Sequence, residues 1–250
     1  MNAGSPELIF SYNCEGQKEL LKDHIATALS LINETSKLIE YGSKLDKNIL
    51  WKIKLAIIFH DIGKALLQKP KFKVNCVSFR GHEHISTYIF WRFRKHLLKS
   101  KVVDIGEHLL DVAYAILYHH HAMNITKRFP NLERYDLKEG LKKLKVAINM
   151  VMRDFLSMEI VEIIPEEIDE NEIEQIVSAI RTEICKRHLE DSKFRKISQV
   201  ILVALITVDY LSSQKHRKPT KTLFSNVLEE FYNLYMSQRN WEPENETACR

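Results

Sequence analysis

Glycine and proline are scarce in this chain, at 7 and 6 of 250 residues. The residues that punctuate turns therefore leave long uninterrupted stretches, which disfavours a fold of many short strands. The four cysteines, Cys14, Cys76, Cys185 and Cys249, form no CxxC pair, which argues against a zinc ribbon or a disulfide scaffold and for a reducing cytoplasm. No apolar run reaches the roughly 20 residues that cross a bilayer. The longest, ISQVILVALITV at 197 to 208, ends in Asp209. The opening MNAGSPELIF lacks the basic start and hydrophobic core of a secretory signal, so the expectation is a soluble, cytoplasmic protein with no membrane partner. There is no GxxxxGK[ST] for ATP and no GxSxG for a serine nucleophile. A dominant charge is missing too: 37 basic residues face 33 acidic ones, and a net +4 permits a polyanionic partner without demanding one.

What the chain does have is helical periodicity. Apolar residues recur at three and four spacing in HIATALSLINETSKLIEYG, KIKLAIIF, HISTYIFWRFRKHLL, HLLDVAYAIL, LKKLKVAINMVMRDFL, IEQIVSAIRTEI, ISQVILVALITVDYL and LFSNVLEEFYNLYM. The fold class expected is all-α, a single compact helical bundle over residues 1–240 with 241–250 as a frayed tail. KFKVNCVSF reads as a connector or short hairpin arm, and the acidic EIVEIIPEEIDENEIE at 159 to 174 as a flexible join.

Histidines mark the ends of these helices. His24 stands near the start of one, His60 and Asp61 close another in FHDIGK, His82 and His84 fall in GHEHIS, and His119, His120 and His121 in LYHHHAMN. Asp209 adds a carboxylate to the face carrying Leu202 and Leu205. A carboxylate on an apolar face needs a cation, a hydrogen-bond cage or exposure. Imidazole and carboxylate together suit divalent transition metals, and a shared carboxylate can bridge two of them. Asp61 is placed for that bridge, and Lys64, one turn on, for a phosphate.

The order of these blocks resembles the HD superfamily of metal-dependent phosphohydrolases. It is most similar to the stand-alone CRISPR-associated HD nuclease of type I interference systems, through LLKDHI, FHDIGK, GHEHIS, YHHHA and VDYLSS. The resemblance spans roughly residues 10 to 215 and implies two divalent metal ions (Mn, Mg, Ni, Co or Fe). His24, His60, Asp61 and Asp209 would hold one, and Asp61, His82, His120 and His121 the other. The family has HHG where this chain has HHHA, so the pair is His119-His120 or His120-His121; Ala122, as a stand-in for the glycine, favours the second. Lys64 and Asp61 would be catalytic, with Ser86 and Ser213 around the site. On a helix His82 and His84 lie about 200° apart, which leaves His84 expected at the surface; Glu83 reads as solvent-facing, with orientation of a metal ligand as the alternative.

The activity implied is hydrolysis of single-stranded DNA, endonucleolytic or exonucleolytic, in CRISPR antiviral defence. Since the chain has no ATP motif, unwinding would come from a separate helicase and targeting from an RNA-guided surveillance complex. Basic clusters at KSK, KKLK and KHRKPTK are candidates to track a backbone, the last through Lys215, Arg217 and Lys218. Two rivals remain: an HD phosphohydrolase acting on free nucleotides, and a non-catalytic helical module that signals by contact.

Overall fold

A computed structural model describes residues 8–99, 109–120, 128–158, 166–216 and 222–237. It is helical, with nine α-helices and one two-stranded sheet among the described residues. The sheet is a hairpin of β1 (Phe10–Cys14) and β2 (Gln17–Leu20), joined at Glu15 and Gly16, whose φ angles of 50° and 80° are both left-handed. Two positive φ values are what a tight hairpin turn requires, and glycine takes one of them without strain. The face this hairpin buries is polar, with Ser11 and Glu19 each almost fully covered, so the apolar alternation that announces a strand is absent.

The helices follow as α1 (Leu21–Ser30), α2 (Lys37–Leu45), α3 (Ile49–Phe59), α4 (His82–Lys99), α5 (Leu110–Tyr118), α6 (Leu137–Phe155), α7 (Glu170–Glu190), α8 (Ser192–His216) and α9 (Leu223–Phe231). Their starts are written in short polar side chains. Ser36, Asp136 and Asp169 accept from backbone N–H groups of α2, α6 and α7, and Thr222 forms a capping box with Ser225 on α9. Asp169 and the first-turn acids Glu170 and Glu172 lie in the segment expected to be a flexible join. Part of that acidity instead faces the positive end of α7; residues 159–165 lie outside the described ones, as does the tail 238–250.

α3 and α8 form the centre. α3 buries eight of its eleven residues, among them Ile53, Leu55, Ala56 and Phe59, and is packed by α1, α2, α5 and α8. Burial on nearly every side explains why its sequence is apolar all round. By length and apolar content α8 meets the requirement for a bilayer span, because the helix runs well past the 12-residue apolar stretch visible in sequence. Its apolar side chains Ile201, Ala204, Leu205 and Val208 are, however, fully covered by α1, α3 and α5.

α6 packs on the 3-10 turn Ile62–Leu67 that follows α3, with Gly140 so close to Leu66 that an added Cβ would lie 2.4 Å from its carbonyl oxygen. The stretch after His121 thus supports the segment carrying His60 and Asp61. Cys14 and Cys76 are joined in a disulfide, contrary to the expectation of free thiols; it ties β1 to the connector 68–80.

Lys52, 6% exposed, lies 2.7 Å from Asp46 and 2.5 Å from Asp111 across the α2, α3 and α5 junction. Burial raises the Asp111 carboxyl even beside Lys52. Removing one partner of such a buried pair strands the other, so Lys52→Met is expected to cost about 3–5 kcal/mol in urea unfolding. Lys52→Met with Asp111→Leu should recover most of that loss.

Candidate metal centre

The centre forms where α1, α3, α4, α5 and α8 meet. α1, α3, α4 and α5 each contribute a residue at or near an end, and α8 contributes Asp209 from two turns inside its C-terminus. α3 stops at Phe59 with His60 as its cap, and Asp61 takes φ −105°, ψ 0°, which turns the chain into the 3-10 segment. Gly63 lets α4 come close: a Cβ there would stand 2.4 Å from the His82 carbonyl oxygen. The Ser86 hydroxyl accepts from the Gly63 N–H at 2.9 Å, so Ser86, expected near substrate, fastens the Asp61 turn to α4.

Four imidazoles are oriented the same way. Nδ1 of His60, His82 and His119 each lies 2.7 Å from a carbonyl three residues earlier, those of Ile57, Phe79 and Ile116. Nδ1 of His24 instead lies 3.1 Å from Glu19 Oε1 and 3.2 Å from the Ser212 hydroxyl. A hydrogen held on Nδ1 leaves Nε2 as the outward lone pair, the arrangement metal-ligating histidines adopt.

Those Nε2 atoms converge on two carboxylates. His24 Nε2 is 3.1 Å from Asp209 Oδ1, 3.4 Å from Asp61 Oδ2 and 3.3 Å from His60 Nε2. His60 Nε2 is 3.6 Å from both carboxylates. On the other side, His82 Nε2 lies 2.9 Å from Asp61 Oδ1 and 3.4 Å from His119 Nε2, and the His120 ring sits 5.1 Å from that of His82. The donors therefore fall into two groups, His24, His60, Asp61 and Asp209, and His82, His119 and His120. Asp61 turns one oxygen to each.

This geometry demands positive charge. Asp61 is 1% exposed, and its Oδ1 lies 2.9 Å from His82 Nε2, a hydrogen bond only when that nitrogen carries a proton. With the His82 hydrogen on Nδ1, two lone pairs face each other, and only a proton or a metal cation between them relieves the repulsion. Burial alone would raise the Asp61 carboxyl, but Lys64, His60 and His82 outweigh it and hold it well below the usual range. Asp209 is likewise held low, burial being overcome by hydrogen bonds and charge from His24 and His60. Burial also opposes a charged His24, yet Asp209, Glu19 and Asp61 push it up to about 9. His119 is driven down to about 3 by burial and by the charges of His60 and His82, and His120 is lowered by burial and by His119. Once their Nε2 protons are displaced, imidazoles beside ionised carboxylates are a donor set for a divalent ion, and these residues fit one.

His24 gives this fit a sign in pH. Its folded pKa lies above the ordinary 6.5, so in metal-free protein the stabilising proton is fully present below 6.5 and lost as pH rises through 9. A metal must displace that proton. Apparent manganese affinity is expected to rise up to about tenfold per pH unit between pH 7 and 8.5, read by calorimetric titration; a flat response would remove His24 from the ligand set.

The structure brings together His24, His60, Asp61, His82, His120 and Asp209, and with them His119, which the sequence left as the alternative to His121. His121 lies outside the described residues, as do Arg217 and Lys218. Ser213 is half-buried, and the hydroxyl that reaches His24 is that of Ser212, which donates to the Asp209 carbonyl oxygen at 2.9 Å. Lys215 is exposed. Lys64, 8% exposed, places its ammonium 2.5 Å from Asp61 Oδ2.

Two expectations about α4 are corrected. His84 does face away from the centre, yet it is buried, packed edge-on to Phe129 at 5.1 Å, because residues 128–130 cover that side. Glu83 is fully buried rather than solvent-facing, 2.6 Å from Arg128 Nε and 3.4 Å from His82 Nδ1. It thus helps hold the His82 ring. Glu83→Gln should weaken metal binding about 10- to 100-fold with little change in helical content, measured by metal titration alongside circular dichroism.

A helical chain with this His/Asp cluster is compatible with an HD-type domain. Comparison with models of known families, with curated proteins and with solved structures found no match to this chain.

Proposed function

We propose that this chain is a metal-dependent phosphodiesterase of the HD type that hydrolyses single-stranded DNA. The observation that carries this reading is the double presentation of Asp61, whose two oxygens face two separate groups of imidazole donors. His24, His60, Asp61 and Asp209 would hold one ion, and Asp61, His82, His119 and His120 a second. Bound there, divalent ions would supply Lewis-acid charge for a phosphate and acidify water.

The protein's own part is to hold this set rigid and nearly dry. Carbonyls fix the rings of His60, His82 and His119, and Glu19 with Ser212 fixes that of His24. Lys64 now neutralises one oxygen of Asp61, and its ammonium is near enough to share that charge with an arriving phosphate. No side-chain nucleophile is needed. The thiol found free, Cys185, lies exposed on α7.

The narrower reading, a CRISPR nuclease served by a separate helicase and an RNA-guided complex, is supported by the order of motifs from LLKDHI to VDYLSS. Hydrolysis of free nucleotides is the second reading. Against it stands the form of the cavity at His82 and Lys64, about 220 Å³ and open, which suits a passing strand better than an enclosed mononucleotide.

The test is incubation of chelator-stripped protein with a single-stranded oligonucleotide and manganese, magnesium, nickel, cobalt or iron(II) in turn. Cleavage should appear only with metal. Rapid hydrolysis of mononucleotides with an intact oligonucleotide would move the assignment to the second reading.

A further inference from the structure

The cavity beside the centre has a chemistry of its own. Its floor is Lys64 and His82, and its walls come from two segments far apart in sequence: Tyr12 on β1, and Phe79 with Arg80 at the end of the connector. These walls are joined by the Cys14–Cys76 disulfide and by backbone bonds from Val77 N–H to Asn13 O at 3.0 Å and Glu15 N–H to Asn75 O at 3.5 Å. The Lys64 ammonium lies 5.8 Å from the centre of the Phe79 ring, linking aromatic wall and cationic floor.

Charge on this connector is one-sided. Between residues 69 and 80 stand Lys69, Lys71, Lys73 and Arg80 with no acid. Lys69 is paired with Asp136, and Arg128 at the cavity's edge is held by Glu83. Arg80 is exposed and makes no ion pair with any described residue. Two aromatic rings and an uncommitted guanidinium at the mouth of a phosphate-handling centre are the elements that bind a nucleotide in a single strand, by stacking the base and pairing the phosphate. At about 220 Å³ the cavity is below the roughly 300 Å³ where pockets for drug-sized ligands begin. It takes one unit.

We propose that this cavity is a nucleotide subsite of a single-stranded polynucleotide, with Tyr12 and Phe79 stacking the base next to the scissile phosphate and Arg80 holding the backbone. It rests on the reading of the centre as a phosphodiesterase, and it assigns strand recognition to the connector rather than to the basic clusters noted in sequence.

The experiment measures binding with hydrolysis switched off. Anisotropy of a fluorescein-labelled oligothymidylate is recorded with chelator present, for wild type, Arg80→Glu, Tyr12→Ala and Lys186→Glu. The last makes the same charge change at an exposed position of α7. Arg80→Glu and Tyr12→Ala should each weaken binding about tenfold, Lys186→Glu less than twofold, and all three should melt like wild type. Equal losses in Arg80→Glu and Lys186→Glu would mean diffuse charge attraction and no subsite. Wild-type-like binding by Arg80→Glu and Tyr12→Ala, or displacement of the oligonucleotide by an equal concentration of dTMP, would also overturn the proposal. A chain that binds as described but cleaves nothing with any metal keeps the subsite and loses the phosphodiesterase reading. One that cleaves while those two variants bind normally does the reverse.

Discussion

Asp61→Ala is expected to lower oligonucleotide hydrolysis by about 10³-fold or more, because the charge that bound ions bring to a phosphate is worth several kcal/mol and each 1.4 kcal/mol is a decade in rate. The reason lies in the two directions its oxygens face. Oδ2 meets His24 and His60, while Oδ1 meets His82, so deleting the carboxylate removes a ligand from both donor groups at once. The helices should survive, since Asp61 sits in a turn after α3 and contributes no cap hydrogen bond. Asp61→Asn separates the two functions: its side chain keeps one acceptor oxygen and replaces the other with a donor. Metal analysis should then find one ion in Asp61→Asn and none in Asp61→Ala, with circular dichroism unchanged in both. Full hydrolysis by Asp61→Ala would remove the centre from the mechanism.

The second large effect concerns the strand. On the proposed reading the cavity of about 220 Å³ receives one nucleotide of a flexible strand, which a rigid duplex would not present to it. Cleavage of blunt duplex DNA by the isolated protein should therefore be on the order of 100-fold slower than cleavage of the matching single strand. Salt provides an independent readout. For about three phosphate contacts on a single strand, a fourfold rise in salt should weaken binding roughly 20-fold, from a log-log slope of about −0.7 per contact. A small chromogenic phosphodiester, lacking flanking phosphates, should respond far less. Efficient cutting of blunt duplex without ATP would contradict the proposed single-strand preference.

The parts legible in sequence were those with one dominant periodicity. α3 and α8 are buried on several sides, and such helices read as apolar runs whatever their neighbours. The His and Asp residues of the candidate centre stood out in the sequence because they interrupt or follow those apolar runs. What was hidden depends on contacts between distant segments. Glu19 is only five residues before His24, yet it reaches the ring from a strand that runs straight into α1, and strand alternation is silent when the buried residues are Ser11 and Glu19. Cys14 and Cys76 are 62 residues apart, a pairing that spacing does not announce. His84 illustrates a different limit. Helical geometry placed it on the face away from His82, correctly, but the far side of one helix is solvent only if nothing packs there, and Phe129 does. Glu83 became a support for His82 through Arg128, 45 residues on. In the run His119 to His121, the family's small residue argued for the later pair, while the carbonyl of Ile116 turns His119 toward His82.

The most direct measurement is anomalous diffraction from crystals of the protein grown with manganese. Two peaks are expected on either side of the Asp61 carboxylate, one among His24, His60 and Asp209 and the other among His82, His119 and His120. Diffraction from well-ordered crystals with no manganese at Asp61, or with manganese bound only elsewhere on the surface, would contradict the account.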